Sequence, residues 1–279
     1  MKNRLFPDVS QKKLNPNSVI ITGVPFDLTE SFRRGAAKGP DAIRRFSLSI
    51  ESNSKKLNRD IENIDFYDAG NISVKNSSTP DMIRIVRNFI KKYNKNQVLC
   101  LGGDHLVSYP FIFEIARKFK DVVVLHIDAH TDLREKWLNK KFTHCTVMRR
   151  IIEDCGNCHL IQTGIRSGTK QEFEFIKDHP RIHSFELEDT PLICRLIGSR
   201  PVYLTLDLDV LDPSVVPGVC NPEPGGAMFN ELLNFLHYLI PKVSLMGADV
   251  VELAPGFDAS GVSSATAASI VRDILLCWK

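Results

Sequence analysis

The stretch VVVLHIDAHTDLR, residues 122–134, decides how the rest of the chain is read. Its first half is β-branched and apolar, the pattern of a strand buried on both faces. It ends in Asp128, Ala129, His130, Thr131 and Asp132. Side chains alternate faces in extended backbone, so Asp128, His130 and Asp132 are expected on one side. Two carboxylates about 4 Å apart repel by roughly 4 kcal/mol at an effective dielectric near 20. A bound cation resolves that repulsion. A mixed oxygen and nitrogen donor set suits manganese, zinc, nickel or iron better than calcium. Taken alone, the HxD spacing also fits a polar loop with a capping Asp.

Working outward, strand and helix patterns alternate along all 279 residues. Apolar strand runs are expected at 19–25, 64–69, 97–101, 121–127, 158–165, 182–185, 202–207 and 245–253. Helical spacing is expected from 39 to 45, with Pro40 near the first turn, and again from Thr79, with Thr79 as N-cap and Pro80 at the first position. Further helices are expected through Phe111 to Phe119 and at 143–154, 171–177, 191–197, 229–239 and 263–276. No linker, repeat or low-complexity segment interrupts the alternation. The expectation is one α/β domain, residues 1–279, with a mainly parallel sheet covered on both faces.

Composition excludes several function classes. Hydrophobic content of 43% and charged content of 25% are those of an ordinary globular protein. The net charge of +3 comes from scattered Lys and Arg without interleaved aromatics, so nucleic acid is not an expected partner. No apolar run reaches membrane-spanning length, and none follows Met1. A cytoplasmic protein is expected, with Lys2, Arg4, Lys12 and Lys13 as solvated surface. Seven irregularly spaced Cys argue against a disulfide framework. Cys155 and Cys158 form a CxxC, but there is no second pair for a structural zinc, and the motif lies between a helix and a strand. It reads as a turn with two incidental thiols.

The polar residues fall just past strand ends, where parallel sheets place their sites. GGDH after Leu101 gives His105, with glycines that allow close backbone approach. The DAHTD motif gives Asp128, His130 and Asp132. DLD after Leu206 gives Asp207 and Asp209, expected on one face, and the strand before Leu253 gives Glu252. Two His and four Asp exceed one metal's usual need and suit two metals about 3.5–4 Å apart, which can lower the pKa of a bridging water to near neutrality. There is neither a phosphate loop nor a GxSxG nucleophile motif.

The blocks GGDH (102–105), DAHTD (128–132), LDLDVLDP (206–213), PEPGG (222–226) and DVVELAP (249–255) resemble the ureohydrolase family of arginases and agmatinases over about residues 21–276. The resemblance implies a three-layer αβα fold with a central, about eight-stranded, mainly parallel sheet. It implies a hydrolase with two Mn2+ per subunit, assembled as a homo-oligomer, trimer or hexamer. His105 and Asp132 look like ligands of the first metal, and His130 and Asp209 of the second. Asp128 and Asp207 look like the bridges. Glu252 stands where the family pairs a carboxylate with the substrate guanidinium, and His144 matches its second acid/base histidine. Asp132 is placed to pass a proton. Asp104 and Asp212 are expected to orient ligands by hydrogen bonds. His126, His159, His179, His183 and His237 are expected to be structural or exposed.

The implied reaction cleaves a guanidinium to urea and a primary amine, most simply agmatine to putrescine in polyamine synthesis. Aminopropylagmatine is a further substrate of that type. The loop 133–142 lacks the Ser/Asn-rich pattern by which arginases hold an amino-acid head. Glu135 suits an ammonium tail, whereas Arg134, Lys140 and Lys141 suit a carboxylate tail such as that of guanidinobutyrate. The sequence departs from the family at Leu106, Cys145 and Val219-Cys220-Asn221. The alternatives are another amidinohydrolase of the family (arginase, guanidinobutyrase or formiminoglutamase) or a metal-binding relative without catalysis. All six ligand positions are intact, which disfavours the last.

Overall fold

Every expected apolar run becomes a strand in the computed structural model, which describes residues 4–7 and 13–278. In chain order the strands are β1 (Val19–Gly23), β2 (Asn53–Ser54), β3 (Arg59–Asp60), β4 (Phe66–Asn71) and β5 (Val98–Leu101), then β6 (Val123–Ile127), β7 (His159–Thr163), β8 (Ile182–Phe185), β9 (Pro201–Asp207) and β10 (Ser244–Val251). Eight of them form one sheet in the order β4-β1-β5-β10-β9-β6-β7-β8, with every neighbouring pair parallel. β2 and β3 make a separate antiparallel ribbon, a feature with no apolar run to mark it.

Helices cover both faces, giving three layers. α1 (Gly39–Phe46), α6 (Thr190–Ile197), α7 (Phe229–Leu239) and α8 (Val262–Trp278) pack on one side. α2 (Thr79–Lys92), α3 (Ser108–Lys118), α4 (Val147–Asp154) and α5 (Lys170–Asp178) pack on the other. β6 feeds both cores by alternation: Val123, Leu125 and Ile127 face the first, Val124 the second. This is why its sequence is continuously apolar rather than alternating. Among the described residues no helix is long and apolar enough to cross a membrane. Arg4 and Lys13 are exposed, whereas Lys2 and Lys12 lie outside the described residues.

Local chemistry moves some boundaries. Ser78, not Thr79, caps α2: its hydroxyl oxygen accepts from the Asp81 N–H, and its hydroxyl donates to the Asp81 carboxylate. Both residues are good caps, but only Ser78 puts an acidic partner three positions on. The strand expected to reach Ile165 stops at Thr163, where Gly164 turns with φ +83°.

At the edge of the sheet, Arg44 of α1 makes a bidentate pair with Asp68 of β4, at 2.8 and 2.9 Å, and both are buried. Asp68 also accepts from the Leu5 and Gly70 amides. Removing one partner of such a pair strands the other charge in the interior. Arg44→Met is expected to lower unfolding stability by about 3–5 kcal/mol in a urea titration. The double variant Arg44→Met/Asp68→Asn should lose clearly less.

Candidate metal centre and active site

The four strands that end in ligand-type residues, β5, β10, β9 and β6, are consecutive neighbours in the middle of the sheet. After β5 the GGDH backbone presses against the first loop. The Asp104 N–H donates to Phe26 O at 2.7 Å, and a Cβ on Gly103 would lie 1.9 Å from that oxygen. After β6 the chain leaves extended geometry. His130 N–H donates back to Asp128 Oδ1 at 2.6 Å, and Asp132 sits at φ +52°. After β9, Asp207 accepts from Asp209 N–H at 2.8 Å and starts a single 3-10 turn. The sequence expectation that these residues share a face through the strand pleat is therefore corrected. They converge through turns in which an Asp side chain caps its own backbone. Glu252 follows β10 at φ +67°, held by its N–H to Gly103 O.

One group of donors surrounds His105. Its Nδ1 lies 3.1 Å from Asp128 Oδ2, 3.2 Å from Asp132 Oδ2 and 3.3 Å from Asp207 Oδ2. The other ring nitrogen fixes the tautomer. The Thr205 hydroxyl donates to Asp249 at 2.6 Å, so the His105 Nε2–H donates to Thr205 Oγ1 at 2.8 Å. Nδ1 then turns a lone pair toward three carboxylates and has no hydrogen-bond partner. In a second group His130 Nδ1 lies 2.9 Å from Asp209 Oδ2 and 3.6 Å from Asp128 Oδ1. Two donor sets sharing Asp128 fit two divalent cations.

The electrostatics point the same way. Burial pushes Asp207 and Asp209 upward, and burial with the Asp128 charge pushes Asp132 up to about 7. Burial opposes a charged His105 ring, yet its carboxylate neighbours outweigh it and lift His105 well above an ordinary histidine. The cluster demands positive charge, from protons or from metal ions.

A cavity of about 230 Å³ opens onto this cluster, lined by Asp207, Asp209 and Glu252 together with Arg134, Trp137 and Glu172. Glu252 Oε1 accepts from His105 N–H at 2.6 Å, whereas its buried Oε2 has no partner. Glu30, which no motif marks, lies beside it and is pushed up to about 7, chiefly by burial. One oxygen of each and the Cys220 sulfur lie within 4.8 Å of one another. His144 is reached through Asp104, as a support: Asp104 Oδ2 holds the Thr29 N–H and hydroxyl, and Thr29 O accepts the His144 Nδ1–H at 2.6 Å. His144 Nε2 lies 3.1 Å from Ser31 Oγ.

Other expectations are corrected. Asp212 orients no ligand: it accepts from the amides of Ser214, Gly225 and Gly226 and so holds the PEPGG loop. Lys140 and Lys141 line a separate cleft with Arg84 and Arg87, and Glu135 is exposed, so only Arg134 of the discriminating residues reaches this cavity. His126 is buried and structural, as expected, and its Nε2 lies 2.7 Å from Asp128 Oδ2. Arg166 joins the DLD turn to the PEPGG loop by donating to Asp209 O and Glu223 O. Cys145 lines the cavity, with its thiol pushed up to about 12 by burial. Cys155 and Cys158 are free thiols in a turn, as expected.

His144 yields a pH test. Burial lowers it to about 4, against 6.5 in an unfolded chain. The unfolded state therefore takes the proton first, and the stability from the neutral buried ring is present above pH 6.5 and lost as pH falls toward 4. In urea titrations of metal-free protein, the parent should lose on the order of 3 kcal/mol more than His144→Phe over that window. Equal losses would contradict a buried neutral ring.

The family model described as "Arginase family" matches residues 17–277. An agmatinase of Bacillus cereus is 35% identical over 96% of this chain and 94% of its own length. An agmatinase of Bacillus subtilis is 37% identical over 92% and 90%. The solved proclavaminate amidino hydrolase of Streptomyces clavuligerus superposes with a TM-score of 0.86 at 27% identity, covering 94% of this chain and 91% of that one. With the parallel eight-stranded sheet and the His/Asp cluster at its centre, these matches establish that the chain belongs to the arginase family of ureohydrolase enzymes.

Proposed function

We propose that this enzyme is a dimanganese agmatinase, a single ureohydrolase domain that hydrolyses agmatine to urea and putrescine in the cytoplasm. The observation that carries the reading is a pair of unpartnered buried atoms: His105 Nδ1 among three carboxylates, and Glu252 Oε2, which has no hydrogen-bond partner. His105, Asp128, Asp132 and Asp207 would hold one ion, and Asp128, His130, Asp207 and Asp209 the other. The predominance of carboxylates over imidazoles favours Mn2+. When bound, such ions supply ionised water at neutral pH and stabilise developing negative charge.

The chain's own groups do the rest. The His105 amide occupies Glu252 Oε1 and so orients Oε2 toward the planar guanidinium through a charge-assisted bond. That contact holds a weak electrophile, its charge spread over three nitrogens, in one attitude for attack by water. Asp132, buried beside Asp128 and His105, would take the proton from water and give it to the departing amine nitrogen. His144, neutral with Nε2 beside Ser31, exchanges that proton with solvent. Water and the guanidinium thereby yield urea and a protonated primary amine. A trimeric or hexameric assembly is proposed with this reading.

One observation favours a second substrate. Arg134 stacks over Trp137 and lies 3.9 Å from Glu172, whose two oxygens already accept from Thr131, Leu133 and Thr169. A carboxylate-tailed guanidine such as guanidinobutyrate would pair with that cation, whereas aminopropylagmatine would extend past it.

Urea release from a panel of guanidines with added Mn2+ tests the proposal. Agmatine should be turned over fastest, and preference for guanidinobutyrate or arginine would replace it. Glu252→Gln should lower kcat/KM by about 10²-fold or more, with metal content unchanged. Asp128→Ala should lose affinity for both ions and all detectable turnover.

A further inference from the structure

His126 lies in β6, fully buried, and faces the second core as Val124 does. Its partner across the sheet is Gln162 of β7, directly opposite in register. Gln162 Nε2 lies 2.9 Å from Thr131 O and 2.8 Å from His126 Nδ1. A carbonyl oxygen only accepts, so the amide atom facing Thr131 O must be nitrogen. Turning the amide over would set two oxygens against each other. It would gain nothing on the far side, where Gln162 Oε1 has no partner. The amide group therefore donates one hydrogen to Thr131 and the other to His126 Nδ1. That leaves Nδ1 as acceptor and puts the ring hydrogen on Nε2, aimed at Asp128 Oδ2 at 2.7 Å. The other oxygen of Asp128 accepts from the His130 amide.

We infer that Gln162 and His126 form a positioning relay that fixes the plane of the Asp128 carboxylate, and that His126 is not itself a metal ligand. The inference rests on the proposed role of Asp128 as a ligand shared by two ions. By proximity alone, His105, His126, Asp128 and Asp132 make a four-residue metal site. The hydrogen-bond chain divides that group. A ring nitrogen that bears hydrogen has no lone pair to give a metal, whereas His105 Nδ1, with its hydrogen on the opposite nitrogen, has one. His126 thus resembles a ligand in position and acts through a ligand in chemistry. Outer partners of this kind hold a carboxylate in its binding geometry, and their loss commonly weakens metal binding 10- to 100-fold.

The test is Mn2+ titration of metal-free protein, with free ion read by electron paramagnetic resonance, beside steady-state kinetics and thermal unfolding. His126→Leu and Gln162→Leu should each bind Mn2+ about 10- to 100-fold more weakly. Both should still reach the parent's stoichiometry at saturation, and kcat should fall while KM for the guanidine changes little. His126→Gln, which returns an amide N–H near the lost Nε2–H, should recover much of the affinity. Gln162→Leu touches neither Asp128 nor an ion, so it tests the relay even if His126→Leu does not fold. Parent-like Mn2+ affinity in Gln162→Leu would overturn the relay. Loss of one ion per chain at saturation in His126→Leu would make His126 a ligand and overturn the tautomer assignment. Asp128→Ala separates the two layers: if it keeps parent affinity, the shared-ligand reading fails; if it loses both ions while the relay variants do not, only the relay fails.

Discussion

Negative charge buried without a Lys or Arg counter-charge governs this structure. Asp128, Asp132, Asp207, Asp209 and Glu252 are all at most 4% exposed and lie within one cluster at the middle of the sheet. Among the described residues, none of them pairs with a Lys or Arg. A fold that wanted only stability would replace such groups or give them guanidinium partners, as it does with Asp68 and Arg44 at the sheet edge. The contrast between these two acidic sites separates structural from functional charge. One is satisfied by the chain itself, and the other is left open for cations from outside.

The sheet makes that concentration possible. β5, β6, β9 and β10 are far apart in sequence but adjacent in space, so four loops emerge at one end with their carboxyl groups converging. Parallel pairing aligns all four C-terminal ends, and helices on both faces exclude water from below. The glycines of GGDH let its loop pass within hydrogen-bond distance of both the loop after β1, at Phe26, and the loop after β10, at Glu252. With the first contact Thr29 and Ser31 reach His144, and with the second Glu252 reaches the His105 amide.

What was legible in the sequence was what is local. The apolar runs mark the strands, and each ligand motif stands at the end of one. The turns themselves were not legible, because an i, i+2 spacing reads as a shared strand face until a side chain caps its own backbone, as Asp128 and Asp207 do. Partners across strands were hidden as well. Gln162 and His126 are separated by 36 residues and meet only through register. Glu30, Arg166 and Thr205, the partner of Asp249, belong to no motif and act through contacts that only the folded chain creates. Asp212 shows the converse: it sits within a motif, yet serves the loop that follows.

The same burial acts on Asp128 and Asp132 with opposite results, and the difference lies in their neighbours. Asp128 is surrounded by His126, His105 and the His130 amide, which overcome its desolvation and hold it well below the usual carboxylate range. Asp132 shares His105 but faces the Asp128 charge, and rises to about 7. In the metal-free chain this difference follows from placement rather than residue type: two aspartates four positions apart differ because one of them has a second histidine behind it. Substituting that histidine by an apolar residue removes a donor from Asp128 and lets the two carboxylates become more alike.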